Sequence, residues 1–94
     1  MPSSSIARRE LTVELEQGLH VVPCSQIVKE AMKFQGTIRV ICGEICADAK
    51  SMFDLLGLNA VCGTTLTLEA DGDGAEDALD RLVALFEGGF QIRR

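Results

Sequence analysis

The hydrophobic period of this chain switches repeatedly between two and about 3.6 residues, and a chain patterned that way must pack helices against a sheet. In "ELTVELE", Leu11, Val13 and Leu15 point one way while Thr12, Glu14 and Glu16 point the other. That is a half-buried strand. Gln17-Gly18 breaks it. From Val21 to Phe34 the spacing turns helical, with Cys24, Ile27, Val28 and Ala31 on one side. Gln26, Lys29, Glu30 and Lys33 fall mostly on the other. Pro23 suits the first turn, where a missing N–H costs nothing, and Gly36 ends the segment. "TIRVICGEICADA" reads as a hairpin, with Ile38, Val40 and Cys42 alternating before Gly43-Glu44 and a short return strand over Ile45 to Ala47. "KSMFDLLG" predicts a short helix with Ser51 as N-cap and Gly57 as terminator. A strand follows from Thr64 to Ala70, with Leu66, Leu68 and Ala70 on one face. Asp73 and Glu76 have the spacing of a capping box. The helix they open places Ala75, Ala78, Leu79, Leu82, Val83 and Phe86 together, and Gly88-Gly89 closes it. The tail "FQIRR" has no evident role. The order β-α-β-β-α-β-α predicts an α+β sandwich, an antiparallel or mixed sheet with helices packed on one side.

At 94 residues the chain is expected to form one domain over 1–94, with 1–9 and 89–94 as flexible ends. A net charge of −5 and the absence of Trp and Tyr argue against nucleic acid. No apolar run is long enough to span a bilayer, and "MPSSSIARRE" lacks the apolar stretch of a signal peptide. These features predict a cytoplasmic protein without membrane insertion, and a monomer is expected. Cys24, Cys42, Cys46 and Cys62 do not have zinc-site spacing, and are read as small hydrophobes in a reducing compartment. Cys42 and Cys46 flank a turn, which leaves a disulfide or shared metal there as the sharper alternative. Glu44, Asp48 and Asp54 read as solvated turn residues. No metal and no cofactor are expected.

His20 is the single histidine, placed where the chain turns into its first helix. Its plain interpretation is a polar residue that caps the helix. Its chemical one uses the helix end. The first-turn amides of Val21, Val22 and Cys24 are expected to point outward unpaired, at the positive end of the helix dipole. Such an end attracts anions, phosphate above all. An imidazole there is a nucleophile beside an anion site, an arrangement for phosphoryl transfer. Cys24 belongs to the inward stripe, which speaks against a Cys–His nucleophile.

Three stretches together resemble the HPr family, the small histidine phosphocarriers of the bacterial phosphoenolpyruvate-dependent sugar phosphotransferase system. "GLHVVPCSQIVKEA" is similar to the family's active-site turn and first helix, and "KSMFDLL" to its regulatory serine site and second helix. "GTTLTLEADGDGAEDALDRLVALF" is similar to its last strand and helix. The resemblance covers about residues 10 to 88 and implies a sandwich of four antiparallel strands and three helices on one face. It implies that His20 accepts the phosphoryl group from enzyme I and passes it to enzyme II proteins of sugar transport or of a related nitrogen-type branch. The protein would then be a phosphoryl carrier rather than a multiple-turnover enzyme. Ser51 would match the serine that a dedicated kinase phosphorylates, and a phosphorylase restores, in some bacteria. One departure stands out. Where the family carries an arginine two residues after the histidine, this chain has Val22, and Asp54 stands where a basic or neutral residue is more usual. Val21, Val22, Ser25, Met52 and Phe53 are expected to form the docking face for partners. An alternative is a diverged regulatory module that binds through its Ser51 face without efficient phosphoryl transfer.

Overall fold

The computed structural model describes residues 6–91. Strand β1 (Ile6–Thr12) starts before the alternating run that predicts it, because Ala7 already turns inward and is buried. Residues 6–9, expected to belong to a flexible end, are therefore strand. Helix α1 follows (Val21–Ala31), then β2 (Thr37–Cys42), β3 (Ile45–Asp48), α2 (Met52–Gly57), β4 (Thr65–Asp71) and α3 (Ala75–Glu87). The strands form one antiparallel sheet in the order β1-β4-β2-β3. Alternation decides which face is covered. Ala7, Ile38, Val40, Ala47, Leu66, Leu68 and Ala70 are buried beneath the helices. They meet Cys24, Ile27 and Ala31 of α1, Leu55 of α2, and Leu79 and Leu82 of α3 in a single core. Each fully buried Leu or Ile contributes about 1.5–3 kcal/mol.

The other face stays open and carries charge across the strands. Arg8 lies opposite Glu69, Glu69 opposite Arg39, and Arg39 opposite Asp48. Arg8 and Glu69 form an ion pair, and Arg39 approaches Glu69 at 3.6 Å. At the sheet margin Arg9 reaches Glu76 and Asp80 of α3, tying the outer strand to the helix above it.

Local boundaries differ from expectation where backbone chemistry outweighs side-chain period. Helix α1 ends at Ala31 rather than Phe34; a turn then tucks the Phe34 ring under the chain. A Cβ at Gly36 would sit 2.1 Å from the Asp71 carbonyl oxygen, so only glycine lets the two loops pass. The N-cap of α3 is Gly74 with φ 81°, not Asp73, and no side chain caps it. Glu76, the other half of the expected capping box, pairs with Arg9 instead. After α3 the chain reverses in a short 3-10 turn (Gly89–Gln91) and inserts Phe90, 1% exposed, against the Phe86 ring at 4.8 Å. Gln26 of α1 clamps the turn by donating from Nε2 to the Phe90 carbonyl at 2.9 Å. Part of "FQIRR" is thus core; Ile92, Arg93 and Arg94 lie outside the described residues.

Candidate functional site

The loop before α1 is shaped by glycine. Gly18 has φ 69°, and a Cβ there would meet the Ala60 carbonyl oxygen at 2.4 Å and the Val61 Cα at 2.9 Å. Any side chain would push the loop off the segment ahead of β4. Pressed together, the two segments share a hydrogen bond from the Leu19 N–H to the Ala60 carbonyl at 2.8 Å. Asn59, just before, takes the left-handed φ of 51°. The His20 N–H donates to the Gly18 carbonyl at 3.1 Å, so the backbone leading to the imidazole is held on both sides.

His20 occupies the N-cap position of α1 in extended conformation, φ −97° and ψ −168°. Its side chain does not cap the helix, so the plain interpretation of a capping residue fails on the side chain. The residue is half-buried. The amides that follow divide differently from expectation. Val21 and Val22 are the first two helical residues, where no intrahelical acceptor exists. Pro23, third, has no N–H to leave orphaned. The Cys24 N–H donates to the His20 carbonyl at 3.1 Å, closing the first helical turn. Cys24 is therefore withdrawn from the expected anion-binding amides, because its place in the helix already has an acceptor. Two donors remain, at the positive end of an 11-residue helix.

Cys24 points inward and is fully buried, its Sγ donating to the Leu19 carbonyl at 3.7 Å. Burial pushes its thiol up to about 11. A protonated thiol facing the core is no nucleophile at neutral pH. Cys42 and Cys46 do not face each other. Cys42 lies opposite Ile45 and Cys46 opposite Ile41, so the period of two sends their side chains to opposite faces. All four cysteines are free, and no group of His, Cys, Asp and Glu that could hold a metal ion occurs among the described residues.

Beside His20, Val21 is 56% exposed and Val22 48%, and on α2, which packs against α1, Phe53 is 87% exposed. Val61, 62% exposed and pressed against the Gly18 loop, joins them, although nothing in its own stretch of sequence marks it. Met52 is partly withdrawn into the core, and the Ser25 hydroxyl is spent on the Val22 carbonyl at 2.7 Å. These two members of the expected docking face thus present less than their positions suggest. Ser51 is the N-cap of α2, its Oγ accepting from the Asp54 N–H at 3.3 Å. Asp48 and Asp54, expected as solvated turn residues, also organise the turn. The Asp54 carboxylate accepts from the Asp48 N–H at 3.1 Å, and that of Asp48 from the Lys50 N–H at 2.9 Å. Lys50 Nζ in turn donates to the Phe34 and Gly36 carbonyls at 2.7 and 2.8 Å.

Residues 7–88 match the family described as PTS HPr component phosphorylation site. The chain is 40% identical over 79 residues to the phosphocarrier protein HPr of Vibrio cholerae, covering 84% of this chain and 93% of that one. It is 42% identical over 77 residues to the phosphocarrier protein HPr of Haemophilus influenzae, covering 82% and 91% respectively. The crystal structure of HPr-C-His from Thermoanaerobacter tengcongensis superposes with a TM-score of 0.88 at 30% identity, over 94% of this chain and 99% of that one.

Proposed function

The chain belongs to the HPr family of phosphocarriers, and from that premise we propose that His20 accepts a phosphoryl group from enzyme I and hands it to enzyme II proteins. The observation that carries this reading is the placement of His20: an N-cap imidazole that makes no capping bond, followed by two amides without helical acceptors. The unprotonated ring nitrogen attacks phosphorus with its lone pair. An N–P bond forms as the bond from phosphorus to the donor's nitrogen breaks, and that pair returns to the donor. Transfer onward repeats the step in reverse. The Val21 and Val22 amides stabilise the phosphoryl oxygens, and stabilisation by fixed dipoles needs no rearrangement during the reaction. Val21 and Val22, exposed beside the imidazole, and Val61, against the Gly18 loop, offer apolar surface for docking to a protein rather than to a small molecule. Ser51 is proposed as a second, regulatory modification site on the neighbouring helix.

Incubation with enzyme I and phosphoenolpyruvate should give one phosphate that is labile in acid and stable in alkali. His20→Ala should abolish it. The melting temperature should hardly change, because a side chain that caps nothing forgoes the roughly 0.5–2 kcal/mol of a true cap. An undiminished acid-labile phosphate in His20→Ala would overturn the assignment.

A further inference from the structure

Among the described residues only Asn59 and Phe90 take a positive φ without being glycine, at 51° and 56°. The left-handed region is costly for most side chains and least so, glycine apart, for Asn and Asp. Phe90 is explained by its ring, which the reversal drives into the core. Asn59 is exposed, so no packing of its side chain dictates its conformation. It sits where the chain leaves α2. Gly57, expected to terminate that helix, is still helical, and Leu58 after it stays right-handed with φ −68°. The reversal falls two residues late, on Asn59, and what it achieves lies downstream.

Ala60 is buried, and its carbonyl accepts from the Leu19 N–H at 2.8 Å. The Gly18 loop comes so close that a Cβ there would stand 2.4 Å from the same oxygen. A few residues on, the Gly63 N–H donates to the Val13 carbonyl at 2.7 Å, and the Val13 N–H donates to the Thr64 carbonyl at 2.8 Å. Residues 60–64 thus form a brace, anchored just past β1 at one end and aimed by Asn59 at the other. It grips the two residues before His20. The His20 carbonyl is held in turn by the Cys24 N–H at 3.1 Å. Between these two holds, the backbone that carries the imidazole has one place relative to the first-turn amides of Val21 and Val22.

We propose that Asn59 is a positioning residue for phosphoryl transfer. Its left-handed backbone aims the Ala60 carbonyl at the Leu19 N–H, and so sets the His20 imidazole against the Val21 and Val22 amides. This rests on His20 being the acceptor. A residue that prefers extended backbone at position 59 turns the Ala60 carbonyl away, and the loop before His20 loses its support. A misplacement of about 1 Å at a reacting group costs on the order of a hundredfold in rate.

The test uses phosphoramidate, a small donor that needs no partner protein. Its P–N bond breaks, ammonia leaves with the pair, and the N–P bond forms on His20. Single-turnover labelling of the full chain is compared with Asn59→Gly, Asn59→Ala and Asn59→Val, at a temperature where each is folded. Asn59→Gly keeps the left-handed backbone and discards the amide, so it should label within about twofold of the unmodified chain. Asn59→Val should label about ten- to a hundredfold more slowly, with Asn59→Ala between them. Exchange of the Leu19 amide should quicken in the same order. Should Asn59→Val melt below the assay temperature, Asn59→Ala carries the same comparison. A residue that only supported the fold would move the melting temperature and leave the rate per folded molecule unchanged. Equal rates across the folded variants therefore overturn the proposal. So does an Asn59→Gly as slow as Asn59→Val, since the side-chain amide rather than the backbone would then matter. An unmodified chain that takes no acid-labile phosphate from phosphoramidate or from enzyme I overturns the acceptor assignment itself, and this role of Asn59 falls with it.

Discussion

One turn of helix separates His20 from Cys24, and the two side chains live in opposite surroundings. His20 is the last residue before the helix and keeps partial contact with water, while Cys24 falls on the buried stripe. The thiol is held protonated because the core solvates a thiolate poorly. Its raised value means that stability is undiminished below the ordinary thiol value of 9.0 and declines as pH rises toward about 11, where the unfolded chain alone ionises freely. Brief iodoacetamide treatment at neutral pH should therefore modify the exposed Cys46 and Cys62 and spare Cys24. Peptide mass spectra read this directly, and alkylated Cys24 in folded protein would contradict it. At this scale much was legible. The helical period placed Cys24 inward, and Pro23 marked the helix start. Val61 was not legible, because it nears His20 through a contact between segments distant in the chain. Phe90 was hidden for a related reason, since two residues in left-handed conformation fold it back.

Helix α2 is only six residues long and depends on its start more than a longer helix does. Its Ser51 hydroxyl satisfies the Asp54 amide, and Asp54 in turn holds the Asp48 amide. Aspartate is as good an N-cap as serine, so Ser51→Asp should leave the melting temperature within about 0.5 kcal/mol of stability. Its added charge stands beside Asp48 and Asp54 and close to the exposed Phe53. Ser51→Asp is therefore expected to slow phosphorylation by enzyme I severalfold without unfolding the domain. Matched single-turnover rates for the two proteins would remove Ser51 from the docking face. The elements themselves were readable from their periods, strand β4 and the hairpin especially. Caps were less so. "Asp73…Glu76" has capping-box spacing, yet Gly72 and Gly74 take positive φ and carry the chain into α3 through backbone alone. Side-chain spacing does not report which carbonyls and amides already have partners, and that same blindness assigned a free amide to Cys24.

Across the whole molecule, the covered and open sides of the sheet are governed by different forces. Burial fixes the helical side; the open side carries the alternating row from Arg8 to Asp48. The hydrogen bond from Arg8 holds the Glu69 carboxyl below its ordinary 4.5, with the charges of Arg8 and Arg39 adding to it against partial desolvation. A lowered value means that the contribution is present above 4.5 and is lost as pH falls through the folded-state value. Glu69→Gln should accordingly melt at a lower temperature than the unmodified chain at pH 7, and the gap should close in strong acid. A gap that persists at low pH would assign the effect to packing rather than charge. The overall layering was legible because it needs only the order of periods. The charged row was not, because it depends on register between β1, β4 and β2. The bond from Leu19 to Ala60 has a consequence in time. Strand β1 and α1 leave the ribosome long before residue 60, and until that carbonyl arrives the Gly18 loop has nothing to lie against. Contacts so far apart in sequence form late. A half-made chain thus carries His20 without its setting. Hydrogen exchange at the Leu19 amide as slow as that of the central strands is the expected mark of this dependence; rapid exchange at Leu19 alone would refute it.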